Sequence, residues 1–279
     1  MIFAILGGDD RSVRLARLLR GDGHTVRPFA LEQALPDAYP DPAEALRGAE
    51  AVLLPLPAQR GGKLNAPFSA GIHAAPELLR HAAPGTPVIC GVPDAALREV
   101  CRERGLPLFD LMERESFVAR NAALTAEGTL ALLAQGPGAI LGRRILVAGC
   151  GRVGKALARR LAALEAEVTV AARSQAARDW AMSQGCRAVP LEAAAAPGYD
   201  AAVNTVPARV FDHAALRRFG QIPLIELASA PYGFDPAAAQ ALGNPVRMAA
   251  GVPGAYAPEA AAAAMREALD SILKERDTA

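Results

Sequence analysis

Residues 145–154 read Ile-Leu-Val-Ala-Gly-Cys-Gly-Arg-Val-Gly, an apolar run feeding directly into G-x-G-x-x-G. A helix pattern rich in Ala, Leu and Arg opens near Lys155. A second apolar run, Val168-Thr169-Val170-Ala171-Ala172, stands where the returning strand of a βαβ unit belongs. In such a unit Gly149 makes the tight turn, Gly151 lets the backbone approach a pyrophosphate, and Gly154 lets helix and strand pack closely. Arg152 and Val153 lie in the same turn, where free N–H groups and the positive end of the helix dipole hold phosphates. Strand, glycine turn, helix and second strand together predict a dinucleotide-binding Rossmann domain.

The tip of the second strand selects among dinucleotides. An NAD site places an acidic residue about 20 residues beyond the first glycine, on the ribose 2′-hydroxyl. Here the chain reads Ala171-Ala172-Arg173-Ser174. A planar cation followed by a hydroxyl suits a 2′-phosphate, so NADP is expected as cofactor ahead of NAD.

A chain of 279 residues exceeds one ordinary core and suits two domains of about 100–150 residues each. The expected division is a substrate-side α/β domain over 1–118, a linking helix over 119–138, the NADP-binding domain over 139–254, and a C-terminal helix over 255–279 packing back on the first domain. Charged residues make up 21% and the net charge is +1 with both signs mixed, so no nucleic-acid footprint or acidic-lipid surface is expected. Among the cations only Lys63, Lys155 and Lys274 are lysines, which draws notice to Lys63 in its Gly-rich loop. Cys90, Cys101, Cys150 and Cys186 show no paired spacing, and the histidines are scattered, so no metal site and no disulfide framework are expected. The chain opens straight into a strand, and no apolar stretch reaches the ~18 residues of a membrane span; a cytosolic protein is expected.

The N-terminal half repeats the α/β rhythm. Strands are expected at Ile2–Leu6, Thr25–Phe29, Ala51–Leu54, Val88–Gly91 and Pro107–Asp110, with helices at Val13–Leu19, Ile72–His81 and Asp94–Arg104 and a flexible loop at Gln59–Asn65. Alternation of this kind implies a parallel, doubly wound, flavodoxin-like sheet. Its first turn lacks the full glycine motif, so this half is read as carrying substrate rather than nucleotide. A helix from Phe117 to Ala134, ending at Gly136-Pro137-Gly138, joins the halves.

Ligands of open α/β sheets sit beyond the carboxyl ends of the strands. Asp200–Pro207 reads as a strand whose tip, Asn204-Thr205-Val206-Pro207, belongs beside the nicotinamide ribose. A further strand at Leu224–Ser229, with Ala228 at its end, and the Gly251–Gly254 turn can border the nicotinamide. Across the expected cleft, Asn121, Thr125 and Gly128 share one helical face. Thr125 and Gly128 are poor mid-helix residues, which hints at a close ligand or a local break. Arg11 and Lys63 are candidates to clamp carboxylates, and Glu127 or Asp10 to act as a modest base.

Taken in order, G-G-D-x-R at Gly7–Arg11, L-P-L-P at Leu54–Pro57, N-A-x-x-T-A-E-G at Asn121–Gly128, G-x-G-R-V-G, A-x-R-S, N-T-V-P and A-S-x-P at Ala228–Pro231 resemble the A subunit of dipicolinate synthase along nearly the whole chain. The resemblance implies oxidation of dihydrodipicolinate to dipicolinate with NADP as acceptor, together with a second, flavoprotein-like B subunit, in the mother cell of a sporulating bacterium. It also implies two α/β domains paired as in formate/glycerate dehydrogenases, and a homo-oligomer is expected. Two other readings stay open: a related NADP oxidoreductase of shikimate-dehydrogenase or 2-hydroxyacid type, for which His213 is a poor catalytic match, and a non-catalytic NADP-binding subunit.

Overall fold

The computed structural model describes residues 1–136 and 138–277; Pro137, expected in the turn after the long helix, lies outside them. The chain divides into two compact units, Met1–Asn121 joined by the C-terminal stretch from Ala257 on, and Ala122–Tyr256.

The first unit runs β1 (Ile2–Leu6), α1 (Asp10–Gly21), β2 (Thr25–Phe29), α2 (Pro42–Leu46), β3 (Ala51–Leu53), β4 (Gln59–Arg60), β5 (Lys63–Leu64), α3 (Ala75–Leu78), β6 (Val88–Cys90), α4 (Ala95–Glu103) and β7 (Leu108–Asp110). Five strands form one parallel sheet in the order β2-β1-β3-β6-β7, a flavodoxin-like winding. Its strands are apolar on both faces because helices cover both. Phe3 and Ile5 point into one buried cluster, and Ala4 and Leu6 into the other. The C-terminal helix α11 (Pro258–Asp277) completes this unit, with Ala262, Met265 and Leu269 in the same cluster as Leu15 and Leu19 of α1.

Local chemistry moves several boundaries away from the sequence expectation. Helix α1 begins three residues earlier than the apolar pattern, because the Asp9 side chain caps it through Arg11 N. The expected helix from Ile72 starts only at Ala75. Pro76 stands at its first turn, and its ring would clash with a helical carbonyl at Ile72. The expected flexible loop Gln59–Asn65 is a two-stranded hairpin whose turn, Gly61-Gly62, is left-handed at both residues (φ +58° and +75°), as a type I′ hairpin turn requires.

Helix α5 (Glu115–Ala134) starts in the first unit and ends in the second. The second unit continues through β8 (Arg144–Ala148), α6 (Arg152–Ala163), β9 (Glu167–Ala172), α7 (Gln175–Ser183), β10 (Arg187–Pro190), β11 (Ala201–Asn204), α8 (His213–Phe219), β12 (Leu224–Glu226), α9 (Pro236–Ala241), β13 (Arg247–Met248) and α10 (Val252–Tyr256). Its six strands are parallel in the order β10-β9-β8-β11-β12-β13. That is the dinucleotide-binding order, with the reversal between β8 and β11.

Two expectations for this unit are corrected. Helix α5 is continuous through Thr125 and Gly128. Gly128 is there for packing, since a Cβ on it would stand 2.1 Å from Val252 Cγ1 and 3.0 Å from Tyr256 Cβ. The supposed Gly251–Gly254 turn is the start of α10, which supplies those two side chains.

Candidate functional site

Gly149 leaves β8 with φ +101°, and a Cβ there would lie 2.2 Å from Thr205 Oγ1. A Cβ on Gly154 would lie 2.2 Å from the Gly149 carbonyl oxygen. Both positions therefore exclude side chains, and strand, turn and helix lock together around them. Gly151 is different: nothing lies within 4 Å of a Cβ built on it. It is also the N-cap of α6, and it offers no side-chain hydrogen bond to the helix. Among the described residues, six other α-helices are capped by the side chains of Asp9, Asp41, Asp94, Ser174, Asp212 and Asp235. The N-cap of α6 thus brings no side chain to the first-turn N–H groups, and the space beside Gly151 is open, a geometry that fits a pyrophosphate at the turn carrying Arg152 and Val153. Behind the turn, Cys150 directs its thiol to Ala177 O at 3.5 Å, and Lys155 Nζ lies 5.0 Å from the centre of the Trp180 ring.

Beyond β9, Arg173 and Ser174 are exposed. Ser174 caps α7, accepting from Ala177 N at 3.3 Å. Sequence reasoning passed over Arg178. Its Nη1 donates to the carbonyls of Ala172 and Arg173, both at 2.8 Å, and its Nη2 to Gln175 Oε1 at 2.8 Å. A second cation thus fixes the backbone that carries Arg173. The available signal was an arginine one helical turn into α7, directly after a strand tip that lacks an acid.

At the ends of β11 and β12 the polar side chains serve the protein itself. Asn204 is completely buried. Its Nδ2 donates to Val206 O (2.9 Å) and Glu226 Oε1 (2.6 Å), while its Oδ1 accepts from Val206 N (3.1 Å). The expectation that this amide bonds the nicotinamide ribose is therefore revised: it holds the shape of the loop. The Thr205 hydroxyl donates to Ala148 O at 2.9 Å. Val206 is half-buried and Pro207 exposed.

Glu226, also fully buried, meets four donors among the described residues. Oε1 takes Asn204 Nδ2 and Ala228 N (2.9 Å); Oε2 takes Gly233 N (2.8 Å) and Phe234 N (3.1 Å). Burial pushes its carboxyl above the ordinary range, and these hydrogen bonds pull it back. This hub ends β12 at Glu226, short of the expected Ser229, because the following amides turn onto the carboxylate. An acid inside the apolar run Leu224–Leu227 was the sequence signal for it. Gly251, with φ +81°, has open space around it ahead of α10.

In the first unit, Gly8 N donates to Asn65 O at 2.8 Å. Arg11 is 4% exposed. Its Nε and Nη2 grip both oxygens of Asp9 (2.9 and 2.7 Å), and Nη2 also donates to Leu56 O. The fork expected to clamp a substrate carboxylate is thus committed to Asp9. Asp10 is exposed at the start of α1, and Lys63 is exposed on β5 directly across from exposed Arg60. On α5, Asn121 is half-buried, Thr125 is buried, and Glu127 is paired with Arg160 Nη2 at 3.2 Å. Among the described residues no cluster of His, Cys, Asp and Glu is placed to hold a metal ion, and no helix is long and apolar enough to cross a membrane.

Residues 2–112 match the N-terminal domain of the dipicolinate synthase A subunit, and residues 117–213 match the NAD-binding domain of D-isomer-specific 2-hydroxyacid dehydrogenases. The dipicolinate synthase A subunit of Bacillus subtilis (strain 168) is 29% identical over 288 residues, covering 98% of this chain and 95% of that one. The crystal structure of the dipicolinate synthase A subunit from Bacillus halodurans superposes with a TM-score of 0.87 at 28% identity, covering 98% of this chain and 97% of that one. D-lactate dehydrogenase from Escherichia coli, at 14% identity, covers 100% of this chain and 98% of its own with a TM-score of 0.65, and shares the fold alone.

Proposed function

We propose, on the premise that this chain is a relative of the dipicolinate synthase A subunit along its whole length, that it oxidises dihydrodipicolinate to dipicolinate with NADP. Its oxidoreductase character rests on the dehydrogenase-type nucleotide domain. The observation that carries the cofactor reading is the uncapped start of α6 at Gly151, with open space in front of it. The preference for NADP is supported by the exposed cation Arg173 at the tip of β9, on backbone held by Arg178.

A nicotinamide dinucleotide held here would supply the acceptor for the hydride that leaves the substrate. The chain's own part is to moor the carrier and orient the substrate. The N–H groups of the α6 turn would hold the pyrophosphate, and Arg173 would hold the 2′-phosphate. The Asn204–Glu226 hub stiffens the two loops beyond β11 and β12. The substrate is a flat ring bearing two carboxylates, and Lys63 with its neighbour Arg60 are the exposed cations we assign to it. Loss of hydride leaves a ring that becomes aromatic on losing a proton. That step is downhill and needs only alignment and a modest base. Exposed Asp10 fits this task better than Glu127, whose carboxylate already answers Arg160.

Titration calorimetry with NADP and NAD tests the mooring: NADP should bind more tightly, and no heat with either nucleotide would overturn the reading. Turnover of dihydrodipicolinate, followed by NADPH fluorescence with and without a flavoprotein-like partner, tests the chemistry. Nucleotide binding without turnover in either condition would leave a non-catalytic subunit.

A further inference from the structure

Tyr232 follows β12 with φ +57°. A bulky residue in the left-handed region is strained, and glycine would stand there without cost. The surroundings impose this conformation. Gly233 donates its N–H to Glu226 Oε2 and accepts at its carbonyl from Val210 N (3.0 Å) and Phe211 N (2.9 Å). A Cβ on Gly233 would stand 2.3 Å from the Asn204 amide, so the chain cannot shift there. On the other side, Tyr232 N donates to Ser229 O at 3.2 Å and Ala228 N to Glu226 Oε1. The turn is clamped at both ends by the buried Asn204–Glu226 pair, and the strain stays in Tyr232.

The ring is not part of the core that would repay that strain. It is half-buried and, among the described residues, belongs to none of the apolar clusters of its unit. Its address is informative. The phosphate turn follows β8, the ribose tip follows β9, and the sheet reverses between β8 and β11. A dinucleotide laid across that reversal carries its second ring over β11 and β12. The loop after β11 abuts the phosphate turn, since Thr205 and Val206 are what a Gly149 side chain would strike. The same Asn204 that shapes that loop packs on Gly233, the neighbour of Tyr232.

Resting on the proposed function, we infer that Tyr232 is a specificity-determining wall for the nicotinamide ring: the clamped turn holds an aromatic face where a flat heterocycle docks. Retained strain at a position where packing does not require the side chain is the mark of such a role.

The test compares two ligands on the full chain, NADPH and 2′-phospho-ADP-ribose, which lacks the nicotinamide. Tyr232→Gly should keep or raise the melting temperature, because it relieves the strained backbone. It should weaken NADPH about three- to tenfold, the scale of one ring-on-ring contact, while leaving the fragment's affinity unchanged. Tyr232→Phe should restore NADPH binding and the change in nicotinamide fluorescence. Equal NADPH affinity in Tyr232→Gly overturns the inference. So does a parallel loss for both ligands, which would mark the residue as merely structural. Failure of the unsubstituted chain to bind NADPH would instead sink the proposed function itself.

Discussion

A side chain on Gly154 would drive its Cβ to 2.2 Å from the carbonyl oxygen of Gly149, whereas one on Gly151, three residues earlier, would meet nothing within 4 Å. Two glycines of one motif therefore sit in opposite surroundings: Gly154 is required by helix-to-strand packing, while Gly151 is not and stands beside open space, where the proposed function puts the pyrophosphate. Gly154→Ala should lower stability by about 1–3 kcal/mol, the cost of overpacking a tight contact. Gly151→Asp should fold normally and even gain about a few tenths of a kcal/mol by capping α6. Its carboxylate would nonetheless repel the pyrophosphate from those same N–H groups. Thermal melts and nucleotide titrations on the two variants should give opposite results, with Gly154→Ala moving the melt and Gly151→Asp moving the titration.

The buried ion pair in the first unit gives a second contrast. Arg11→Ala should cost about 2–4 kcal/mol, toward the lower end for a broken buried pair because the Asp9 side chain remains 26% exposed. Urea unfolding measures it directly. Lys63→Ala should leave the unfolding midpoint where it is and raise KM for the dicarboxylate. A raised KM with unchanged stability in Arg11→Ala would return that residue to substrate binding.

Most of the fold was legible because hydrophobic periodicity and glycine punctuation are local signals. The β8–α6–β9 unit and the alternation of the first half needed no tertiary information. The Gln59–Leu64 hairpin was legible too, in its paired glycines, but was read for flexibility rather than for turn chemistry. What stayed hidden depends on contacts between distant residues. Gly128 looks like a helix defect until Val252 is placed against it. Arg11 looks like a free clamp until Asp9 is seen to occupy its fork. Asn204 looks like a ribose ligand until Glu226, 22 residues later, claims its amide. Polar residues near a site attract functional readings, and only geometry separates those that face a ligand from those that hold the loops.

The Glu226 hub should tolerate no isostere. Among the described residues every partner of its carboxylate is an N–H donor, so Glu226→Gln would turn its own NH₂ against at least one of them. The loss should be about 2–3 kcal/mol, the cost of a buried donor left unmet. Hydrogen exchange should show the Ala228–Phe234 turn loosening first. Equal protection in the variant would mean that the hub is not what fixes this turn.

Asp200 gives a pH dependence of defined sign. The Arg144 side chain, donating to it at 2.8 and 3.2 Å, and the Arg144 backbone N–H at 2.9 Å hold its carboxyl down at about 2. A carboxyl with a depressed folded-state pKa stabilises fully above its unfolded value of about 3.9. That contribution is lost as the pH falls toward 2. Asp200→Asn should cost about 1 kcal/mol at neutral pH, discounted for a side chain 39% exposed. The gap between variant and parent should close between about pH 4 and pH 2. A gap that persists at pH 2 would show that packing rather than charge accounts for the effect.

The tip of β9 supplies the sharpest test of cofactor choice. Arg173→Ala should reduce NADP affinity by about 1.5–3 kcal/mol, the worth of a hydrogen bond to a charged group, roughly ten- to a hundredfold. NAD affinity should stay almost unchanged. Combining it with Ala172→Asp should place a carboxylate for a ribose hydroxyl and invert the preference toward NAD. Arg178→Ala should behave differently from both. It removes the guanidinium that holds the Ala172 and Arg173 carbonyls, so the strand tip should loosen and affinity for either nucleotide should fall. Kd values for NADP and NAD across these variants decide the matter. If Arg173→Ala weakens both nucleotides equally, the 2′-phosphate is recognised elsewhere, and the tip of β9 serves only the shape of its loop.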